Sequence, residues 1–67
     1  MIVWIVSWHE IRDICTSREN AIIAAKNFLK AELGDTFVNV DEGPFYTRIT
    51  GHHHVILVYE QETDLWV

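Results

Sequence analysis

One uninterrupted helical segment, with strand-like sequence on both sides of it, most strongly limits how this chain can fold. Residues 18–33 contain no glycine or proline, and Thr16 with Glu19 has the spacing of a capping box, with Ser17 an equally good N-cap. Gly34 is suited to end the helix because glycine readily adopts the left-handed conformation found there. The apolar side chains form one stripe at 100° per residue, which predicts an amphipathic helix lying on a sheet. The predicted helix spans 17–33, and its core side consists of Ile22, Ala25, Leu29 and Leu33.

The segments around this helix are rich in the β-branched and aromatic residues typical of strands. The first of them is apolar on both faces, which favours a central position in a sheet. The predicted strands cover residues 2–8, 11–15, 45–50 and 53–60, with a further short strand open over 36–40. We therefore expect one α+β domain over 1–67, a small antiparallel sheet of three to four strands with one amphipathic helix on one face, in the order ββαββ or βαββ.

Charge and cysteine content exclude several classes of function. The 67 residues include ten acids and five bases, a net charge of -5, which argues against binding nucleic acid through its phosphates. Residues 1–31 have four bases and three acids, a balance of +1, whereas residues 32–67 have one base and seven acids, a balance of -6. This asymmetry predicts a negative patch. The single cysteine, Cys15, excludes an internal disulfide, and no apolar run reaches the length of a membrane span.

The surplus of apolar residues predicts a surface that binds protein. Three tryptophans cannot all be buried under one helix of this length, and the apolar second face of residues 2–7 and 54–59 is left uncovered. Such a patch generally marks a protein partner, often a second copy of the same chain, so we expect a homodimer. Glu32 and Asp35 are expected to add to the negative surface. The predicted partner-binding residues are the acids Asp41, Glu42, Glu60, Glu62 and Asp64 together with Trp8 and Trp66.

The first half of the chain also suggests an origin. A strand reading Ile2-Val3-Trp4-Ile5-Val6-Ser7, followed by a helix that opens Thr16-Ser17-Arg18-Glu19-Asn20-Ala21, resembles small proteins of bacteriophages and their hosts. The resemblance transfers no functional residue; it implies an inhibitor of a host enzyme or defence complex. We therefore expect a phage-encoded acidic protein in the host cytoplasm that binds a host protein and imitates nucleic acid. We expect no enzymatic activity, no cofactor, no metal and no direct contact with nucleic acid or membrane.

Three consecutive histidines provide the main alternative function. On a strand, His52 and His54 point to the same face and suit a shared metal ion, although no Cys-x-x-Cys or His-Glu-x-x-His pattern completes a site. The run Gly51-His52-His53-His54 also resembles the glycine–histidine strand of the HicA-type toxin family, which implies RNA cleavage by a histidine beside Arg48. That family is basic and begins with a helix, whereas this chain is acidic and begins with a strand. The alternatives are therefore a His-based metal-dependent or nucleolytic enzyme and a homodimeric structural protein.

Overall fold

The computed structural model describes residues 1–63, in which one helix packs on one face of a five-stranded antiparallel sheet. The elements in chain order are β1 (Ile2–Trp8), β2 (Glu10–Cys15), α1 (Arg18–Ala31), β3 (Phe37–Glu42), β4 (Thr47–Gly51) and β5 (Val55–Glu62). Across the sheet the strand order is β2-β1-β5-β4-β3. The α+β class with one helix on an antiparallel sheet is confirmed. The predicted number of three to four strands is too low, because the order is ββαβββ.

The additional strand that raises the number to five is β3, which the sequence left open as a short strand over 36–40. Asp41 and Glu42 extend it, since both lie in the antiparallel ladder with β4. The loop that follows is correspondingly short. The N–H of Gly43 donates to the carbonyl of Tyr46 at 2.9 Å, and this bond closes the β3–β4 hairpin.

Helix α1 lies within the predicted span and ends two residues earlier. Its N-cap is Ser17, whose hydroxyl accepts a hydrogen bond from the N–H of Asn20 at 3.2 Å, and Gly34 beyond its end has φ 61°. Of the predicted core side, two residues are fully buried and two half-buried: Ala25 and Leu29, then Ile22 and Leu33. No helix within residues 1–63 is long and apolar enough to cross a membrane.

The core lies between α1 and one face of the sheet. It consists of small and branched apolar side chains, namely Val6, Ala21, Ala25, Leu29, Ile49, Ile56 and Val58. Strand β1 is central, as its two apolar faces predict, because β2 and β5 flank it. Among the elements of residues 1–63, α1 packs on one face of the sheet, and no described helix or strand packs on the second face.

Candidate functional site

The helix-free side of the sheet, here called the open face, has an apolar half and a polar half. Cross-strand partners share a face, so Ile14 and Tyr59 lie on either side of Ile5, which is 1% exposed. Around this residue the aliphatic side chains of β2 and β5 are exposed: Ile11, Ile14, Val55 and Leu57. In the polar half, Arg48 of β4 lies opposite Asp41 of β3. Within residues 1–63, this side of the sheet therefore has exposed apolar side chains and no helix packed on it.

The predicted partner-binding acids that lie within residues 1–63 share one end of the sheet, here called the acidic end. The antiparallel register brings the ends of β3 and β5 together there, with Asp41, Glu42, Glu60 and Glu62 all exposed. Arg18 forms an ion pair with Glu42, and the N-terminal amine lies 3.1 Å from Glu62. Glu60 has no ion pair with the described residues. Asp64 lies outside the described part of the chain.

A side chain that the sequence analysis gave no role is the most exposed large apolar residue between positions 1 and 63. Phe45, at the tip of the β3–β4 hairpin, is 84% exposed. The signal that pointed to it was the preceding Gly43-Pro44, which marks the tip of a turn. Beside Phe45 lies a pocket of about 180 Å³, here called the aromatic pocket, on the acidic end. Its lining side chains come from three strands, the hairpin and the helix start: Trp4, Arg18, Phe45, Tyr46, Thr47 and Glu60.

The predicted anchor Trp8 lies at the opposite end of the sheet from the acids. It is half-buried, and the rings of His9 and His54 meet it edge-on at centroid distances of 4.3 and 5.9 Å. The guanidinium of Arg12 lies 5.4 Å from its ring centroid, and Arg12 Nε donates to the Trp8 carbonyl at 3.1 Å. Trp8 is therefore largely enclosed by its own chain. Trp66 lies outside the described residues.

All four histidines occupy the Trp8 end of the sheet. His9 lies in the β1–β2 turn with φ 66°, and the other three form the β4–β5 turn. The rings of His52 and His53 are edge-on at 4.6 Å. Within residues 1–63, no group of three or more His, Cys, Asp or Glu side chains is placed to hold a metal ion. The histidine run therefore forms a turn whose described neighbours do not complete a metal site.

Asp35 anchors this turn, and its expected place on the negative surface is wrong. Its side chain is 2% exposed. It accepts hydrogen bonds from the N–H groups of Thr36 at 2.7 Å and His53 at 2.8 Å, and it lies 2.9 Å from Nδ1 of His54. Burial of the carboxylate would raise its pKa, but the hydrogen bonds from His53, His54 and Thr36 outweigh burial and hold the pKa of Asp35 well below its usual value. An ionised carboxylate only accepts, so Nδ1 of His54 bears the hydrogen.

A carboxylate that orients a histidine in this way is also found in general-base catalysis. Here, however, no Ser, Thr or Cys side chain within residues 1–63 hydrogen-bonds to the His54 ring. Arg48 lies on the open face instead, where it donates to the hydroxyl of Tyr46 at 3.2 Å. Burial and the neighbouring Asp13 carboxylate raise the pKa of the Cys15 thiol, which disfavours the reactive thiolate. The described residues thus do not assemble a nucleophile–base pair.

Comparisons with protein-family models, with curated proteins and with solved structures find no match to this chain. The functional conclusion therefore depends on the geometry, burial and charge of the residues described above.

Proposed function

We propose that this chain is a small acidic binding protein that acts through protein–protein contact and not through catalysis. The observation that supports the proposal is the open face, where exposed aliphatic side chains of β2 and β5 surround the buried Ile5 and no helix or strand of residues 1–63 packs over them. A contiguous apolar patch with a polar margin is typical of an interface rather than of a free surface. The polar margin is supplied by β3 and β4, where Arg48 and Asp41 face each other.

We propose a second copy of the chain as the occupant of the open face. The molecule measures 38 × 23 Å along its two longer axes, dimensions large enough for the roughly 800 Å² per partner of a standard interface. Within residues 1–63 the charged side chains of this face are Arg48 and Asp41, which are opposite in sign. The contact between two copies related by a two-fold axis therefore adds no local like-charge pair, although the two chains, each with a charge of -5, repel at long range.

Pairing of two copies through the sheet edges is less favourable than pairing through the open face. Both edges are irregular: the register shifts between Val6 and Ser7 where β1 meets β2, and between Phe37 and Asn39 where β3 meets β4. Such bulges and the charged residues of β2 and β3 are the devices that keep an edge from pairing with another chain.

A dimer formed through the open face leaves three of the four acids of the acidic end available for a further partner, since Asp41 lies on the open face. Register places Glu42, Glu60 and Glu62 on the helix side of the sheet, away from the proposed dimer contact. We propose that this end binds a basic, nucleic-acid-binding protein of a host cell and inhibits it by occupying the groove that nucleic acid would occupy. The four exposed acids at one end and the net charge of -5 support this reading, and the resemblance to small phage proteins suggests the host cytoplasm as the compartment.

Sedimentation equilibrium of three purified proteins tests the dimer. We expect the parent to form a dimer at micromolar concentrations and Leu57→Glu to sediment as a 7.8 kDa monomer, because a charge would be buried in the contact. Ile23→Glu is the matched control, since Ile23 is also exposed but lies on α1. Circular dichroism establishes that both variants are folded. A parent that stays monomeric, or a Leu57→Glu variant that dimerises as well as the parent, would contradict the proposal.

The catalytic alternative has one observation in its favour, the Asp35–His54 pair, and it is tested directly. We expect the purified protein to leave single-stranded RNA intact at neutral pH, with or without added divalent metal. Cleavage by the parent that is lost in a folded His54→Ala variant, but retained in His52→Ala, would establish a nuclease and refute the binding proposal. His52 is a suitable control because it is exposed and has no hydrogen bond to Asp35.

A further inference from the structure

The aromatic pocket is lined by aromatic side chains and by a carboxylate. The pairing of β1 with β5 places Trp4 opposite Glu60, and the hairpin adds the side chain of Phe45 to the same cavity. Faces of aromatic rings attract cations, and a carboxylate beside them supplies a charge-assisted hydrogen bond. The volume of about 180 Å³ is below the roughly 300–1,000 Å³ of pockets for drug-sized ligands, so the cavity suits a single side chain.

The charge balance of the pocket favours a cation over an anion. Arg18 also lines the cavity, but its guanidinium is engaged in an ion pair with Glu42. Glu60 has no ion pair with residues 1–63, so its charge is the one left uncompensated at the pocket. A basic group entering the pocket would form an ion pair with the Glu60 carboxylate, whereas an acidic group would be repelled by it.

The hairpin wall of the pocket is held in place before any ligand enters. The bond from the Gly43 N–H to the Tyr46 carbonyl closes the loop, and a Cβ at Gly43 would lie 3.0 Å from that carbonyl oxygen, so the turn is tight. Arg48 bonds to the hydroxyl of Tyr46 and lies 5.8 Å from its ring centroid. Preorganisation of this kind lowers the entropy lost on binding.

We propose that the aromatic pocket binds a lysine or arginine side chain presented by the protein partner of the acidic end. This inference rests on the proposed protein-binding function and specifies the chemistry of the contact. The aliphatic stem of the basic side chain lies against Trp4 and Phe45, and its charged head reaches the Glu60 carboxylate. The pocket is therefore a specificity contact for a basic surface, to which the remaining acids contribute long-range attraction.

Titration with single-residue probes, followed by nuclear magnetic resonance, tests the pocket without the unidentified partner. The probes are the N-acetyl, N-methylamide forms of arginine and lysine, with norleucine as the neutral match and glutamate as the acidic one. The indole N–H signal of Trp4 is assigned by its loss in Trp4→Phe. We expect the arginine and lysine probes to shift this signal saturably, and the norleucine and glutamate probes to leave it in place.

A matched pair of variants links the binding to Glu60. Glu60→Gln should weaken binding of the arginine probe about fivefold or more, since a charge-assisted bond becomes a neutral one. Glu32→Gln removes another exposed acid, beyond the far end of α1, and should leave binding unchanged. Equal binding of the norleucine probe, tighter binding of the glutamate probe, or an unaffected Glu60→Gln would overturn the inference. None of these outcomes changes the sedimentation of the parent, so the dimer proposal is tested separately.

Discussion

At the level of single residues, the Asp35 carboxylate ties the β4–β5 turn to the chain that follows α1. Its neighbours are fitted closely to it: a Cβ at Gly51 would lie 2.7 Å from Asp35 Oδ2 and 2.9 Å from both methyl carbons of Leu29. The turn therefore needs glycine at position 51 for space and an acceptor at position 35 for its N–H groups. Satisfying buried donors in this way rigidifies the turn that ends with His54.

Replacing Asp35 with Asn tests the importance of this carboxylate. The amide offers one acceptor oxygen in place of two and brings an N–H₂ group against donors, so buried N–H groups lose partners. We expect Asp35→Asn to lower the melting temperature by several degrees, measured by circular dichroism at pH 7. The control, Asp41→Asn, changes an exposed acid and should remain within about 0.5 kcal/mol of the parent. Equal stability of the two variants would mean that the bonds to Asp35 contribute little.

The same pair of variants predicts a pH dependence with a definite sign. Because the pKa of Asp35 is lower in the folded state, its contribution to stability is fully present above the unfolded value of about 3.9 and is lost as pH falls below that value. The difference in melting temperature between the parent and Asp35→Asn should therefore be largest near neutral pH and shrink below about pH 4. A difference that grows on acidification would show that the carboxylate is not stabilised by folding.

At the level of elements, α1 packs on the sheet through one stripe of buried side chains, Ala21, Ala25 and Leu29. Leu29 is fully buried in the core cluster, whereas Ile23 is exposed on the opposite side of the helix. Leu29→Ala should reduce the free energy of unfolding by about 2–5 kcal/mol, the usual range for a buried leucine, as measured by urea denaturation. Ile23→Ala should change it by less than about 1 kcal/mol. A small effect at Leu29 would mean that the helix packs through a different stripe.

Elements defined by local pattern were predictable, and those defined by distant partners were less so. The helix from Ser17 onward follows from a cap, a regular apolar stripe and Gly34, all within one segment. The final residues of β3 lie beyond the short strand open over 36–40 because Asp41 and Glu42 are poor strand formers. They are strand residues because β4 pairs with them, which no local signal reveals.

In the candidate site, too, features set by local sequence were predictable and features set by distant partners were not. Exposure of the acids at positions 41, 42, 60 and 62 followed from their charge, but their position at a common end follows from the strand order. The sequence missed the burial of Asp35 because its partners are His53 and His54, eighteen and nineteen residues away. Trp8 is half-buried: its contacts with His9 and Arg12 are local, whereas its contacts with Phe28 and His54 come from elsewhere in the chain.

At the level of the whole molecule, charge and hydrophobicity are separated onto different surfaces. The exposed acids of β3 and β5 lie at one end, the four histidines lie at the other, and the aliphatic side chains of the open face lie between the two ends. A surface that binds through apolar contact and a surface that binds through charge respond differently to salt. Varying the salt concentration can therefore distinguish the proposed self-association from the proposed binding of a basic partner.

Ionic strength should move self-association and partner binding in opposite directions. Two copies with a charge of -5 each repel at long range, and salt screens that repulsion over about 8–10 Å at physiological strength, so the dimer should tighten as sodium chloride rises from low to high concentration. Binding of the acidic end to a basic partner should weaken over the same range because its attraction is screened. Sedimentation equilibrium at low and high salt measures the first effect, and titration with a basic peptide such as oligolysine measures the second. Reversal of Asp41 and Glu42 to Lys should weaken oligolysine binding several-fold and leave the core intact, since both are exposed. A dimer that dissociates as salt rises would show that Arg48 and Asp41, and not the aliphatic strip, hold the copies together.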